Sequence, residues 1–466
     1  MRYISTRGGG EPQPFKDVLL QGLAPDGGLY MPEAYPRVSS DLPSDMSYQE
    51  IAFAVLELFM TDIPFGHLQD LINKTYTKDV FGSDEIVPVT TLERDFALMH
   101  LANGPTLAFK DLALQFLGNA VEYVLAERGQ KLNILAATSG DTGSAAEEAF
   151  MEREGVRVFM LSPDGRMSPF QRQQMYTNTA PNVINMAVNG TFDDCQATVK
   201  AVNADLDFKS RYSLGAVNSI NVARILAQMV YYVSTYLKVT RARGRRVTFV
   251  VPTGNFGNVL AAYFVARMGF NIRIIVATNE NDVLDEGLRT GIYRVRKDKE
   301  VKKTLSPSMD IAAASNFERL LFDFADRDVV KTRVLMKELR ERGSINIQSL
   351  LRTPGAAIFY SDRATDDEVI DTIRTVYTKY KIIIDPHTAV SMAVALRHCG
   401  RYHGPVVVAE TAQPAKFADT IRAALGFDSP IPERFANLAN LPERVIQIDP
   451  DPDAVKKIIR THAPAS

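Results

Sequence analysis

His100-Leu-Ala-Asn-Gly-Pro-Thr-Leu-Ala-Phe-Lys-Asp111 joins a short apolar run to a long helical pattern. The run, residues 96–101, has the length of a buried strand. Asn103-Gly104-Pro105 reads as a turn. Beyond it, Leu112, Leu114, Phe116, Leu117, Val121, Val124 and Leu125 keep a helical period and predict a helix over 109–128. Lys110 therefore stands where a strand gives way to a helix, walled by Phe109 and Leu112. A lysine held there loses hydration, and its amine becomes a nucleophile near neutral pH. A Schiff-base lysine needs that property. Taken alone, the same residues also describe a surface lysine beside an aspartate at a helix start.

Two further segments bear on that choice. Ala136-Ala-Thr-Ser-Gly-Asp-Thr-Gly-Ser-Ala-Ala146 follows a predicted strand at 132–137. Glycines and small hydroxyl residues at a strand-to-helix turn leave backbone N–H groups open to an anion. Val251-Pro-Thr-Gly-Asn-Phe-Gly-Asn258 lies between the strand-like Val247-Thr-Phe-Val-Val251 and the helical Val259-Leu-Ala-Ala-Tyr-Phe-Val-Ala266. Gly254 and Gly257 permit close backbone approach, and the helix N-terminus favours negative charge. No Gly-Lys-Ser/Thr follows, so this is not a Walker loop, and the glycine spacing is not that of the dinucleotide fingerprint. Either loop alone could be an ordinary turn. One candidate lysine with two anion-ready loops points to a carbonyl cofactor that carries a phosphate, and pyridoxal phosphate fits.

Phe109-Lys110-Asp111, Ser139-Gly-Asp-Thr-Gly143 and Gly254-Asn-Phe-Gly-Asn258 resemble the threonine synthase family, in the tryptophan-synthase-β-like, fold type II class of pyridoxal phosphate enzymes. Tyr3-Ile-Ser-Thr-Arg7, Gly22-Leu-Ala-Pro-Asp-Gly-Gly-Leu-Tyr30 and Asn218-Ser-Ile-Asn221 carry the same resemblance. So do Ser306-Pro-Ser-Met-Asp-Ile311, Asp385-Pro-His-Thr-Ala389 and Pro414-Ala-Lys-Phe417. The matches run in order over nearly the whole chain.

The resemblance implies conversion of O-phospho-L-homoserine and water to L-threonine and phosphate by elimination and hydration, the last step of threonine biosynthesis. It implies that Lys110 carries the cofactor aldehyde and then serves as base for the Cα proton. Gly254, Asn255, Phe256, Gly257 and Asn258 would grip the cofactor phosphate through backbone N–H groups. Asp141 lies where related enzymes often carry an asparagine facing the ring hydroxyl. Thr411 would meet the pyridine nitrogen, with Glu410 as the competing residue. Ser139, Thr142 and Ser144 are candidates for the substrate carboxylate, helix capping being their other reading. Asn218, Ser219, Asn221 and Arg224 would supply a second anion pocket, since a guanidinium binds phosphate in bidentate fashion. Arg224 could equally be a helix-surface arginine in a salt bridge. His387 reads as a proton donor or a helix cap. Gln413 departs from the family, which often has histidine there. No metal is implied.

Composition sets limits. The chain has 466 residues, 46% apolar and 23% charged, with a net charge of −2. That usage is ordinary for a globular protein, and the charge offers nothing to nucleic acid or an anionic membrane. The basic stretch 294–303 also contains acids and reads as a solvated loop. Two cysteines, Cys195 and Cys399, make no disulfide framework. The N-terminus lacks an apolar signal core, and no apolar stretch reaches spanning length without charge. A cytoplasmic protein, monomer or homodimer, is expected.

Strand-like runs at 96–101, 132–137, 156–161, 183–188, 247–251, 272–277, 382–384 and 406–409 alternate with helical patterns at 109–128, 191–205, 219–238, 258–268, 366–380 and 388–397. This predicts an α/β fold: two parallel-sheet lobes around a pyridoxal phosphate cleft, with an extra N-terminal unit. The expected units are 1–90 (N-terminal), 91–136 with 221–430 (large, cofactor-binding lobe), 137–220 (smaller, mobile lobe) and 431–466 (a C-terminal extension laid over the surface). A serine/threonine dehydratase-type lyase would share Lys110 and the glycine cup. A non-catalytic threonine-synthase-like protein would bind phosphorylated metabolites without turnover.

Overall fold

The computed structural model describes residues 1–38, 42–215, 219–240, 245–398, 400–401 and 403–463. Its larger sheet has the strand order Phe359–Arg363, Ile272–Thr278, Val247–Pro252, Val406–Glu410, Phe96–His100, Val89–Glu93. Every neighbouring pair is parallel except the last. Side chains along a strand point alternately to the two faces, and the core divides accordingly. Val247, Phe249 and Val251 pack with the helices Val222–Val239 and Gly257–Arg267. Val250, with Leu98 and Val408, packs with Asp366–Tyr380 and Pro386–His398 on the other face. Helices on both sides explain why these strands are apolar throughout.

The smaller sheet is wholly parallel, in the order Ile446–Ile448, Val183–Val188, Val156–Pro163, Leu132–Ala137, Leu214–Gly215. Thr191 and Asp194 form a capping box at the helix Phe192–Ala204. Near the N-terminus, Tyr3–Ser5 pairs antiparallel with Tyr30–Pro32. The helix Tyr48–Leu56 packs on Val222–Val239, and Ile51, Val55 and Phe59 join the main core.

The α/β class and the parallel sheets agree with the sequence reading; the lobe boundary at 137 and four local expectations do not. The strand Leu132–Ala137 belongs to the smaller sheet, so the smaller lobe begins before it. Residues 382–384 form no strand, because they are the short link between Asp366–Tyr380 and the Asp385-Pro386 helix start. Their apolar character serves burial, with Ile384 fully enclosed. The edge strand Phe359–Arg363 was not anticipated, since its residues are all half-buried or exposed. The helix expected from Ser219 begins at Val222. The final stretch is not a surface tail. Ile446–Ile448 extends the smaller sheet, and Pro452–His462 buries Val455 and Ile459 against Cys195, Val202 and Phe208.

Candidate active site

Three neighbouring parallel strands lead into three of the expected site segments. Val247–Pro252 runs into the Gly254 loop, Val406–Glu410 into Thr411, and Phe96–His100 toward Lys110. Their carboxyl ends share one edge of the sheet, the usual place for a ligand in an open α/β fold. Lys110 is the first residue of its helix, Lys110–Arg128. A short ladder fixes it beside Thr411: the Phe109 N–H donates to the Thr411 carbonyl at 2.9 Å, and the Gln413 N–H to the Leu107 carbonyl at 3.0 Å. Asp111 does not cap the helix; its carboxylate accepts the Thr106 N–H at 2.8 Å and the Thr106 hydroxyl at 2.6 Å, closing the preceding turn.

Glu410 and Thr411 have different surroundings at this edge. The Glu410 carboxylate is 2.6 Å from His100 Nδ1, and His100 Nε2 is 2.7 Å from the Thr90 hydroxyl. Glu410 is therefore committed to a histidine, while buried Thr411 stands beside the Lys110 ladder.

The Gly254 loop has the form of an anion cup. Phe256 takes a left-handed conformation, φ 66°, just before the helix Gly257–Arg267. Its ring is the anchor, fully buried and 5.4 Å from the Phe317 ring centre. Among the described residues, none of the backbone N–H groups of Gly254 through Asn258 donates to a backbone carbonyl. The Asn255 carbonyl accepts the Asn316 N–H and the Asn316 Nδ2, both at 3.1 Å, which holds the loop from outside. The Asn258 side chain faces inward, its Oδ1 accepting from Tyr231 at 2.5 Å and Tyr232 at 2.7 Å. A cup of free donors at a helix start suits a phosphate. The donor set fits pyridoxal phosphate. A Cβ on Gly254 would lie 2.9 Å from the Ser308 carbonyl oxygen, so the loop must shift to admit one. We expect Gly254→Ala to weaken cofactor binding about tenfold, near 1.4 kcal/mol, in an absorbance titration of apo-protein. An unchanged dissociation constant would show that the loop has slack.

Lys110 meets the smaller lobe at Asp141, the first residue of the helix Asp141–Phe150. Its side chain is 12% exposed, and Nζ lies 3.7 Å from Asp141 Oδ2. Burial draws the amine down to about 8; Asp141 opposes the shift, and the positive charges of Lys416 and Arg224 add to it. Asp141 itself is held by Lys416 Nζ at 2.7 Å, Gln171 Nε2 at 2.9 Å and the Ser308 hydroxyl at 2.9 Å. Burial works against its charge, but Lys416, Lys110 and His387 keep the carboxyl well below the usual carboxylate range. Gly140 turns the chain into this helix at φ 143°, and a Cβ there would strike the Gln171 side chain at 2.7 Å.

Arg224 lies in the first turn of Val222–Val239 and is buried, 5% exposed. Its Nη1 has no hydrogen-bond partner among the described residues, and burial lowers its pKa to about 10. It is not a surface arginine in a salt bridge. A buried, uncompensated guanidinium close enough to Lys110 to depress its amine is a place for an anion. The other expected substrate residues separate. Ser139 is exposed at the loop and Thr142 half-buried. The buried Ser144 hydroxyl turns back to the Gly140 and Asp141 carbonyls, so it serves its own helix. Asn221 is corrected from ligand to cap. Its Oδ1 accepts the Ala223 N–H at 3.0 Å and its Nδ2 donates to the Leu19 carbonyl at 2.8 Å. The Ser219 hydroxyl is 3.1 Å from that of Ser315, which donates to Asn255 Oδ1 at 3.2 Å. Asn218 lies outside the described residues.

His387 is a strut. The Ser308 N–H donates to its Nε2 at 3.1 Å, so the ring proton is assigned to Nδ1, 2.9 Å from Asp385 Oδ1. Both nitrogens are occupied. The sequence reading missed Gln171, Ser308 and Lys416 as partners of Asp141, and it missed Arg319. That arginine is fully buried and donates to the Tyr30 carbonyl at 2.9 Å, the Ile220 carbonyl at 2.6 Å and Asn316 Oδ1 at 2.5 Å. It ties the N-terminal strand pair to the segments flanking the cup. No local pattern marks it; the helix Phe317–Phe324 simply carries a charge on a buried face.

Known proteins match the chain along its whole length. Residues 2–76 match the family model for the threonine synthase N terminus, 388–459 that for the threonine synthase C-terminal region, and 90–341 that for pyridoxal-phosphate dependent enzymes. The chain is 47% identical to threonine synthase of Corynebacterium glutamicum, over 98% of each chain. It is 46% identical to that of Methylobacillus glycogenes, over 99% of this chain and 100% of the other. The crystal structure of PLP-bound threonine synthase from Brucella melitensis superposes with a TM-score of 0.94 at 41% identity, covering 100% of both chains. The chain belongs to the threonine synthase family of pyridoxal-phosphate-dependent enzymes.

Proposed function

We propose that this enzyme converts O-phospho-L-homoserine and water to L-threonine and phosphate. Beyond family membership, the observation that carries the substrate is Arg224: a second buried cation, without a carboxylate partner among the described residues, near Lys110. The glycine cup takes one phosphate, and Arg224 with Ser219 takes another, that of the substrate. Bound at Lys110, pyridoxal phosphate supplies an electron sink for the charge left when the Cα proton departs.

The remaining work falls to the chain. The Lys110 amine, displaced by the substrate's own amine, takes the Cα proton; a pKa near 8 leaves it able to accept and return protons at neutral pH. The N–H groups of Gly254 to Asn258 hold the cofactor's phosphate in place. Ser139 and Thr142 donate to the substrate carboxylate at the start of the Asp141 helix. The Thr411 hydroxyl faces the ring nitrogen, and Asp141 faces the ring hydroxyl. Closure of the lobe built on the smaller sheet over the larger lobe excludes water until the hydration step.

The test is direct: phosphate release from phosphohomoserine against ketoacid release from threonine or serine. Ketoacid without phosphate release would make the protein a dehydratase, and Arg224 disfavours that outcome because a dehydratase needs no second phosphate pocket. A visible absorbance that shifts with phosphohomoserine but yields no product would make it a non-catalytic binder. Among the described residues no helix is long and apolar enough to cross a membrane. The proposal includes action in the cytoplasm as a monomer or homodimer.

A further inference from the structure

Lys416 is a second lysine at the centre, and none of the roles above uses it. Its side chain is 0% exposed. Nζ donates to the Thr106 carbonyl at 2.8 Å and lies 2.7 Å from Asp141 Oδ1. Gln171 reaches the same oxygen at 2.9 Å, and Ser308 reaches the other at 2.9 Å. Lys110 comes no nearer to Asp141 than 3.7 Å, longer than a hydrogen bond. The carboxylate has been drawn toward three closer donors.

We propose that Lys416 is a positioning residue: with Gln171 and Ser308 it holds Asp141 off Lys110, so that the Lys110 amine keeps its lone pair free for the cofactor aldehyde. The inference rests on the pyridoxal phosphate reading of Lys110. An ionised carboxylate offers about four acceptor positions. With Lys416 absent, Asp141 would lack its strongest donor and turn to Lys110. A charge-assisted bond would then keep the proton on that amine. The charged groups around Lys110 are Asp141, Lys416 and Arg224; His387 also faces Asp141, and Asp111 faces Lys416. The two positive charges of Lys416 and Arg224 outweigh the single carboxylate of Asp141 and favour the neutral amine. The step that depends on it is condensation. The Nζ lone pair attacks the aldehyde carbon, a C=N bond forms, and the carbonyl oxygen leaves with the two amine hydrogens as water.

The test follows uptake of pyridoxal phosphate by apo-protein, read as visible absorbance against pH with no amino-acid substrate present. Wild-type uptake should be half-maximal near the Lys110 value of about 8 and slow as the amine gains a proton below it. Lys416→Met should move the midpoint up by about one pH unit, which is about tenfold slower uptake at the acidic end. Lys416→Arg, which keeps a cation, should move it back toward wild type; a merely structural lysine would leave the midpoint alone. Where Lys416→Met does not fold, the double variant Gln171→Leu/Ser308→Ala keeps every charge and releases the same carboxylate. Its midpoint should rise as well. A wild-type midpoint in folded Lys416→Met, or in the double variant when that is the one that folds, overturns the proposal. Normal uptake without phosphohomoserine turnover would sink the proposed reaction and leave this inference standing.

Discussion

Lys110→Ala protein should come off the column colourless and make threonine at least about a thousandfold more slowly than wild type, the scale of loss when a proton-transfer group goes. Covalent attachment goes with it. The variant should take no label after borohydride reduction in the presence of the cofactor, whereas wild type is labelled on the peptide that contains Lys110. Its stability should not suffer. Lys110 titrates near 8 in the fold, below its ordinary 10.5, because burial disfavours the charge. Between those two values the unfolded chain binds the additional proton, so wild-type apo-protein gains stability as pH rises through that window. The alanine variant should lose this slope. Threonine formation at the normal rate by Lys110→Ala would overturn the reading of the whole site.

Arg224→Met is expected to separate stability from function. Removing a buried cation with no anionic partner relieves desolvation, and replacing buried charges by well-packed apolar groups stabilises proteins by about 1–4 kcal/mol in favourable cases. Apo-protein should therefore melt at the wild-type temperature or above. The same change deletes the guanidinium proposed to meet the substrate phosphate. Loss of one partner of a buried, hydrogen-bonded charge pair costs about 2–5 kcal/mol, so kcat/KM for phosphohomoserine should fall by between about thirtyfold and a few thousandfold. Most of the loss should appear in KM, with cofactor absorbance retained. Calorimetry of apo-protein and initial-rate kinetics on one preparation would decide. A variant that melts early would show that Arg224 holds the fold rather than the substrate.

Much of this centre can be read along the chain because its pieces are local. A strand, a turn and a helix start bring Lys110 forward, although alone they also fit a surface lysine; the Ser139 and Gly254 loops beside it turn the choice. The neighbours of Asp141 are different. Gln171, Ser308 and Lys416 come from three distant segments, two of which carry the family resemblance without saying what they touch, and only the fold brings them to one carboxylate. Asn221 was misread for want of a rule already in hand: an asparagine directly before a helix is a preferred N-cap, and placing the helix start at Ser219 hid it. The errors in strand assignment have one cause. The assignment followed apolar content: the linker 382–384, all isoleucine, looked like a strand, and the edge Phe359–Arg363, with Ser361, Asp362 and Arg363, did not.

The place of Ile446–Ile448 beside Val183–Val188 matters for how the molecule is made. A polypeptide leaves the ribosome amino end first, and its domains begin to fold in that order. Val183–Val188 emerges long before its outer neighbour exists. Until translation reaches the last segment, the nascent chain shows a bare row of N–H and C=O groups along that strand, the template on which another chain can pair. A message cut short ahead of codon 446 should thus yield aggregate or chaperone-bound protein rather than a slightly shorter enzyme.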